Sequence, residues 1–275
     1  MNLTPEQVER YSRQIILEEV GLRGQEKLLA GSVLIVGVGG LGSPAAFYLA
    51  AAGVGRIGLV DFDRVEVNNL QRQIIHTTAD VNRLKIESAA DKMRAVNPDV
   101  EVRTYEKAFA AENALELLTD YDFVIDGTDN FSAKFLINDA CYFARKPFSH
   151  AGILRFEGQT ITVLPGQSTC YRCIFREAPP AGAVPSCAQA GVLGVLGGTL
   201  GVIQATEALK YLLGCGELLI DNLLFYSSKE MSFHKIKTNR DADCPICGDN
   251  PTITALRDEA QIICPTRGED SDASP

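Results

Sequence analysis

Gly37-Val-Gly39-Gly40-Leu-Gly42 stands directly after the apolar run Ser32–Val36 and opens an alanine-rich stretch to Ala52. Glycines at that spacing let the backbone approach a phosphate, and the helix N-terminus that follows favours negative charge. Asp61 closes a second apolar run 19 residues after Gly42, where its carboxylate can accept hydrogen bonds from both hydroxyls of an adenosine ribose. These features point to an adenine nucleotide and leave NAD and ATP both open. The next loop separates the two. It carries Asn68, Asn69, Gln71, Arg72 and Gln73, and Lys85 stands at the start of the following helix. The glycine turn already serves the two phosphates of a dinucleotide. A triphosphate attacked at its α-phosphorus needs further cations, to neutralise the nucleophile and the departing pyrophosphate. Arg72 and Lys85 meet that need, although Lys85 alone also suits a solvated helix face.

Asp126-Gly-Thr-Asp129-Asn130 follows a fourth apolar run, Phe123–Asp126. Ligands of open α/β sheets bind just past the carboxyl ends of strands. Magnesium typically takes one or two carboxylates and keeps several waters, so a carboxylate here suits a magnesium ion on the phosphates. Asp129 is the candidate, because Asp126 ends the strand itself. A helix N-cap by Asp129 or Asn130 is the plainer reading.

Four of the eight cysteines form two pairs, Cys170-Tyr-Arg-Cys173 and Cys244-Pro-Ile-Cys247, with 70 residues between them. Together they offer the four soft ligands of a closed tetrahedral zinc site. A redox dithiol is the alternative. Cys187 lies in a loop rich in Pro and Gly and has no basic neighbour to lower its pKa; Cys141, Cys215 and Cys264 read as core or incidental thiols. His76, His150 and His234 are isolated and read as structural, with only His150 near a strand end.

These residues need a scaffold, and the sequence alternates strands with helices. Strands are expected at 32–36, 56–60, 100–105, 123–126 and 147–151, with helices at 44–52, 83–96, 113–118 and 133–144. That alternation predicts an α/β fold, a Rossmann-like doubly wound sheet that is mainly parallel. After about residue 152 the pattern changes. Arg155–Leu164 reads as an antiparallel hairpin turning at Glu157-Gly158, and 223–226 and 231–236 as short strands. Ala178–Thr206 carries no charge, and its Gly194, Gly197, Gly198 and Gly201 mimic packed membrane helices. Its prolines and polar residues favour a buried helix whose glycines allow close backbone approach. We expect one unit over residues 1–264, with a nucleotide half (1–152) and an antiparallel, zinc-binding half (153–264), then a disordered tail over 265–275.

At 275 residues, 46% hydrophobic and 22% charged, the chain is of globular composition. With 26 Lys and Arg against 35 Asp and Glu, its net charge is −9. A nucleic-acid partner is therefore not expected. Any anionic ligand must be held by a few placed cations. The opening MNLTPEQVERYSRQ has no apolar core or cleavage site of a secretory signal, so a cytoplasmic location and no membrane partner are expected.

Arg10-Tyr-Ser-Arg-Gln-Ile-Ile-Leu17, the glycine turn, Asp61-Phe-Asp63, Asn69-Leu-Gln-Arg-Gln73, Lys85-Ile-Glu-Ser-Ala89 and Gly127-Thr-Asp-Asn130 occur in one order. That series resembles the MoeB/ThiF adenylyltransferases, relatives of the ubiquitin-activating enzymes, from about residue 7 to residue 248. The resemblance implies an enzyme that uses ATP and Mg²⁺ to adenylate the C-terminal glycine of a ubiquitin-like sulfur carrier protein ending in Gly-Gly. It implies a nucleotide site of Gly37, Gly39, Gly40, Gly42, Asp61, Asp63, Asn69, Arg72, Gln73 and Lys85, with Asp129 as the magnesium-associated carboxylate. It also implies a homodimer in which Arg13 reaches the partner's phosphates, and Zn²⁺ on the four paired cysteines. Some relatives use a cysteine at the position of Cys187 in a thioester or persulfide step. Too few residues follow position 248 for a rhodanese-like domain, so a separate sulfur donor protein is expected. The rival reading is an NAD-dependent oxidoreductase with His150 as acid or base. It leaves Arg72, Lys85 and the amide cluster unexplained.

Overall fold

The computed structural model describes residues 3–179 and 190–258. Cys187, Cys264 and the 265–275 tail lie outside them. The chain begins with helices α1 (Pro5–Arg10), α2 (Ser12–Ile15) and α3 (Gly21–Ala30). Strand β1 (Ser32–Val36) leads through the glycine turn into α4 (Gly42–Ala52), and β2 (Arg56–Val60) through the long loop into α5 (Lys85–Val96). Next come β3 (Glu101–Tyr105), α6 (Ala114–Leu118), β4 (Phe123–Asp126), α7 (Phe131–Ala144) and β5 (Phe148–Leu154). The last elements are β6 (Glu157–Val163), α8 (Tyr171–Ile174), the long helix α9 (Val195–Leu213), β7 (Asn222–Ser227) and β8 (Ser232–Lys237).

The eight strands of the described residues form one sheet in the order β3-β2-β1-β4-β5-β6-β7-β8. The first five run parallel and the rest antiparallel. Side chains alternate across a strand, so a strand covered on both faces must be apolar throughout. β1 shows this. Val33 and Ile35 pack with α4, α5 and α9 on one face. Leu34 and Val36 pack with α6, α7 and the paired cysteines on the other.

Two readings change. The β5–β6 turn falls at Arg155-Phe156, with Leu154 opposite Glu157, and not at Glu157-Gly158. Gly158 is a strand residue whose missing side chain makes room for Leu200 of α9, 3.1 Å from where a Cβ would sit. The left-handed position belongs instead to Arg155, at φ 55°. Helix α5 begins at Lys85 and not at Arg83.

The uncharged stretch contains the buried helix, which packs backbone to backbone. A Cβ at Gly197 would lie 2.6 Å from the Gly40 carbonyl oxygen, and one at Gly201 would overlap that of Leu41. A Cβ at Gly198 meets nothing. Among the described residues no helix is long and apolar enough to cross a membrane.

Candidate nucleotide site and cysteine cluster

The four glycines of the turn divide into two kinds. Gly37, at φ +89°, would place a Cβ 2.9 Å from the Gly127 carbonyl, and a Cβ on Gly42 would overlap the Gly37 oxygen. These two close the turn against the β4 loop. Gly39 and Gly40 would meet nothing nearer than 3.5 Å, so they leave the backbone open to a ligand. The Val38 amide donates to Asp61 Oδ2 at 2.8 Å. The amides of Gly39, Gly40 and Leu41 find no acceptor among the described residues. They sit at the N-terminus of α4, where the helix dipole favours an anion.

Asp61 also accepts from the Asp63 amide at 2.9 Å. Burial raises its carboxyl above the ordinary value, against the pull of Lys85 and the two amides. Lys85 is only 7% exposed, and its Nζ lies 2.7 Å from the exposed Asp63 carboxylate. It is therefore not a solvated surface charge. Arg72 is half-buried; its Cγ would be 3.5 Å from a Cβ on Gly40, and its Nη1 donates to the Asn68 carbonyl at 2.9 Å. Asn69 is buried and accepts from the Glu66 amide at 3.3 Å, which fixes the loop. Gln73 is buried beside Gly39, and its Oε1 has no partner among the described residues. Free amides and the Arg72 side chain lie at one turn, with the Lys85 ammonium beside Asp61 and Asp63, a donor set that fits a nucleoside triphosphate. Beneath it His76 contacts Ser88 Oγ at 2.8 Å and the Val38 carbonyl at 3.3 Å. Burial, helped by Lys85 and Lys92, pushes its pKa down to about 4.

The β4 loop separates its two carboxylates. Asp126 is fully buried. Its Oδ1 accepts from Thr128 N at 3.0 Å and Thr128 Oγ1 at 2.6 Å, and its Oδ2 from His150 Nδ1 at 2.8 Å and Lys134 Nζ at 3.2 Å. Burial alone would raise its pKa; Lys134, His150 and Thr128 outweigh that and hold it well below the usual carboxylate range. Such a carboxylate has no lone pair left for a metal. Asn130 caps α7 by accepting from the Ala133 amide at 2.9 Å. Asp129 is exposed, with no partner among the described residues. It is the carboxylate of this loop available to a cation.

The cysteine pairs meet. The Sγ atoms of Cys170, Cys173, Cys244 and Cys247 all lie within 4.8 Å of one another. Cys170 is 3.7 Å from Cys173, 3.6 Å from Cys244 and 3.4 Å from Cys247. Zinc–sulfur bonds of about 2.3 Å at tetrahedral angles put sulfurs roughly 3.8 Å apart, so the cluster fits zinc with small adjustment. Four sulfurs this close also outnumber what one disulfide would use. The cluster lies under β5 and α7.

Arg13 is not brought to the turn by its own chain. It is exposed on α2, whose Gln14 bonds the Ala52 carbonyl at the C-terminal end of α4. The glycine turn is at the other end of that 11-residue helix, roughly 16 Å away. Sequence reasoning did not single out Lys134, and His150, read as structural, is buried and bonded to Asp126. The one cue was Lys134 itself, a cation beside Phe131, Phe135 and Leu136.

Comparison with known proteins places this architecture. The ThiF family pattern matches residues 11–246. A sulfur carrier protein adenylyltransferase of Thermus thermophilus is 49% identical over 263 residues, 94% of this chain and 97% of that protein. A SAMP-activating enzyme E1 of Haloferax volcanii is 49% identical over 249 residues, 90% of this chain and 92% of that protein. An adenylyltransferase and sulfurtransferase MOCS3 of Culex quinquefasciatus is 43% identical over 98% of this chain, which spans 62% of its length. A crystal structure of E. coli MccB with ATP shares the fold, with a TM-score of 0.76 at 23% identity over 86% of this chain and 74% of that one. The chain belongs to the ThiF family.

Proposed function

We propose that this chain is a nucleotidyltransferase that activates the C-terminal glycine of a ubiquitin-like sulfur carrier protein ending in Gly-Gly, as an acyl-adenylate, with release of pyrophosphate. One observation carries the reading: the unpaired amides of Gly39, Gly40 and Leu41 face the same turn that Arg72 lines, with buried Lys85 nearby. The adenylyltransferase names of relatives nearly half identical over most of the chain support it. Nothing comparable favours hydride transfer, and His150, the acid or base of that alternative, is 1% exposed and bonded to Asp126.

The carrier's carboxylate oxygen attacks the α-phosphorus, a new oxygen–phosphorus bond forms, and the bond to pyrophosphate breaks. No general base is needed, because the nucleophile is already ionised. Positioning and charge neutralisation do the catalysis. The glycine amides and Gln73 hold the phosphates, Asp61 the ribose, and Arg72 and Lys85 offset the charge that gathers as nucleophile and leaving group share the phosphorus. Asp129 would hold magnesium, which would supply further charge neutralisation on the phosphates. Zinc on the four cysteines is structural. Arg13 belongs to the site across a homodimer, sulfur comes from a separate donor protein, and Cys187 is a candidate for that later step. The whole acts in the cytoplasm as one unit over residues 1–264.

The test is ATP–pyrophosphate exchange that depends on a Gly-Gly-terminated carrier. Lys85→Met and Arg72→Met each lower the exchange rate by about 10²–10³-fold, with thermal midpoints close to that of the parent. Exchange without carrier dependence, or variants as active as the parent, rejects the proposal.

A further inference from the structure

Asp126 and Lys134 form an ion pair in the interior, with Lys134 7% exposed and Asp126 fully enclosed. Removing two charges from water costs several kcal/mol per ion, and apolar side chains of the same volume usually serve stability as well or better. Packing gives no reason for a lysine on the buried face of α7, between Ala133 and Phe135. Its ammonium is placed with care nonetheless, 2.6 Å from the Ala151 carbonyl and 3.2 Å from Asp126 Oδ2. His150 completes the grip from β5.

What this grip holds is the loop that carries Asp129. The Asp126 Oδ1, which Lys134 Nζ also reaches at 3.3 Å, takes both the amide and the hydroxyl of Thr128. The Asp126 carbonyl accepts from Gln204 Nε2 of α9 at 2.9 Å, and the Gly127 amide donates to the Val36 carbonyl at 2.8 Å. Asn130 is fixed as the cap of α7. Each residue from 126 to 130 is tied down except Asp129, whose carboxylate projects from an immobilised loop. Buried ionic groups are best attested in fixing one conformation among alternatives, and here the conformation fixed is the one that presents a carboxylate.

We propose that Lys134 and His150 are positioning residues of the magnesium–nucleotide site: by gripping Asp126 from two elements they set the Thr128 turn and so aim Asp129 at a triphosphate-bound cation. This rests on the reading of the turn as an ATP site. Neither residue touches the nucleotide. Both act through Asp126 and Thr128.

The experiment measures binding of a non-hydrolysable ATP analogue to the full chain by calorimetry, with and without Mg²⁺. In the parent, Mg²⁺ tightens binding. In Lys134→Met that tightening falls at least tenfold, while affinity for the metal-free analogue stays within twofold. Lys134→Arg keeps the charge and restores the tightening to within threefold of the parent. His150→Asn, whose amide can keep the Asp126 bond, stays near the parent, and His150→Leu does not. Thr128→Val removes the hydroxyl bond without disturbing the buried pair, and loses about threefold. It decides the question should the Lys134 variants fail to fold. Equal Mg²⁺-linked tightening in variant and parent overturns the inference. So does a parallel loss of metal-free affinity, or a failure of Lys134→Arg to restore. Carrier-dependent exchange by the parent, run alongside, separates the two readings. Exchange absent with the Mg²⁺ pattern intact rejects the carrier assignment alone; exchange present with the pattern absent rejects the positioning role alone.

Discussion

At the nucleotide edge, loops after β1 and β4 and the face of α9 meet with almost no side chain between them. Gly37, Gly42, Gly127 and Gly197 lie where no Cβ fits. At the cysteine corner two segments 70 residues apart meet through sulfur. Beside them Arg172 holds Asp139 of α7 with two bonds of 2.7 Å. The first region is shaped by excluded volume, so it tolerates a change of solvent and fails on one added methyl. The second brings together a set of four thiols that fits zinc, so on the proposed reading it would tolerate small changes of volume and fail when the metal is taken. Backbone pressed on backbone suits a surface that must present amides at fixed positions. Ligation suits the joining of remote segments with little core of their own.

The comparison can be broken hardest at the corner. Cys247→Ser, or chelation under denaturant, removes the bound zinc measured by metal analysis. It lowers the thermal midpoint by about 10 °C or more, since loss of a structural metal site costs several kcal/mol and each kcal/mol shifts a chain of this size by roughly 2–4 °C. If no zinc co-purifies, the corner needs another account. At the nucleotide edge, Gly197→Ala puts a methyl 2.6 Å from the Gly40 oxygen. Overpacking of this kind costs about 1–3 kcal/mol, and because it pushes on the turn, ATP affinity falls with stability. Gly198→Ala, one residue on and facing open space, is neutral or stabilises by up to about 1 kcal/mol. Equal effects of the two in denaturant titrations would remove the excluded-volume argument.

A further effect is one of pH. The pKa of His76 is lowered to about 4 in the fold and is about 6.5 unfolded. The unfolded chain therefore binds more protons between those values. The contribution of His76 is complete above pH 6.5 and is lost as pH falls toward 4. At pH 5 the loss is on the order of 2 kcal/mol. His76→Gln flattens that part of the stability profile. Identical profiles for variant and parent would show that the histidine beneath the turn is not held neutral.

Legibility in the sequence followed the same division. The parallel strands announced themselves because strands covered on both faces are continuous apolar runs, as in Ser32–Val36 and Phe123–Asp126. The glycine turn and Asp61 were legible because each lies at the end of such a run, and Lys85 because it opens the next helix. The cysteine pairs were legible as ligands, though only the fold brings them together. The Asp126, Lys134 and His150 cluster was hidden, since its members come from β4, α7 and β5 and share no local spacing. The β5–β6 turn was misplaced because Gly158 is there to admit Leu200, while Arg155 takes the left-handed position without a glycine to mark it.

The contact between Lys85 and Asp63 carries one more consequence. The ammonium has a counter-ion on a residue that is itself open to solvent. An arriving phosphate oxygen would swap places with that carboxylate and would not have to strip water from a bare cation. Charge at this spot would then change little between the empty and the loaded protein. Asp63, displaced outward, would report occupancy of the cleft.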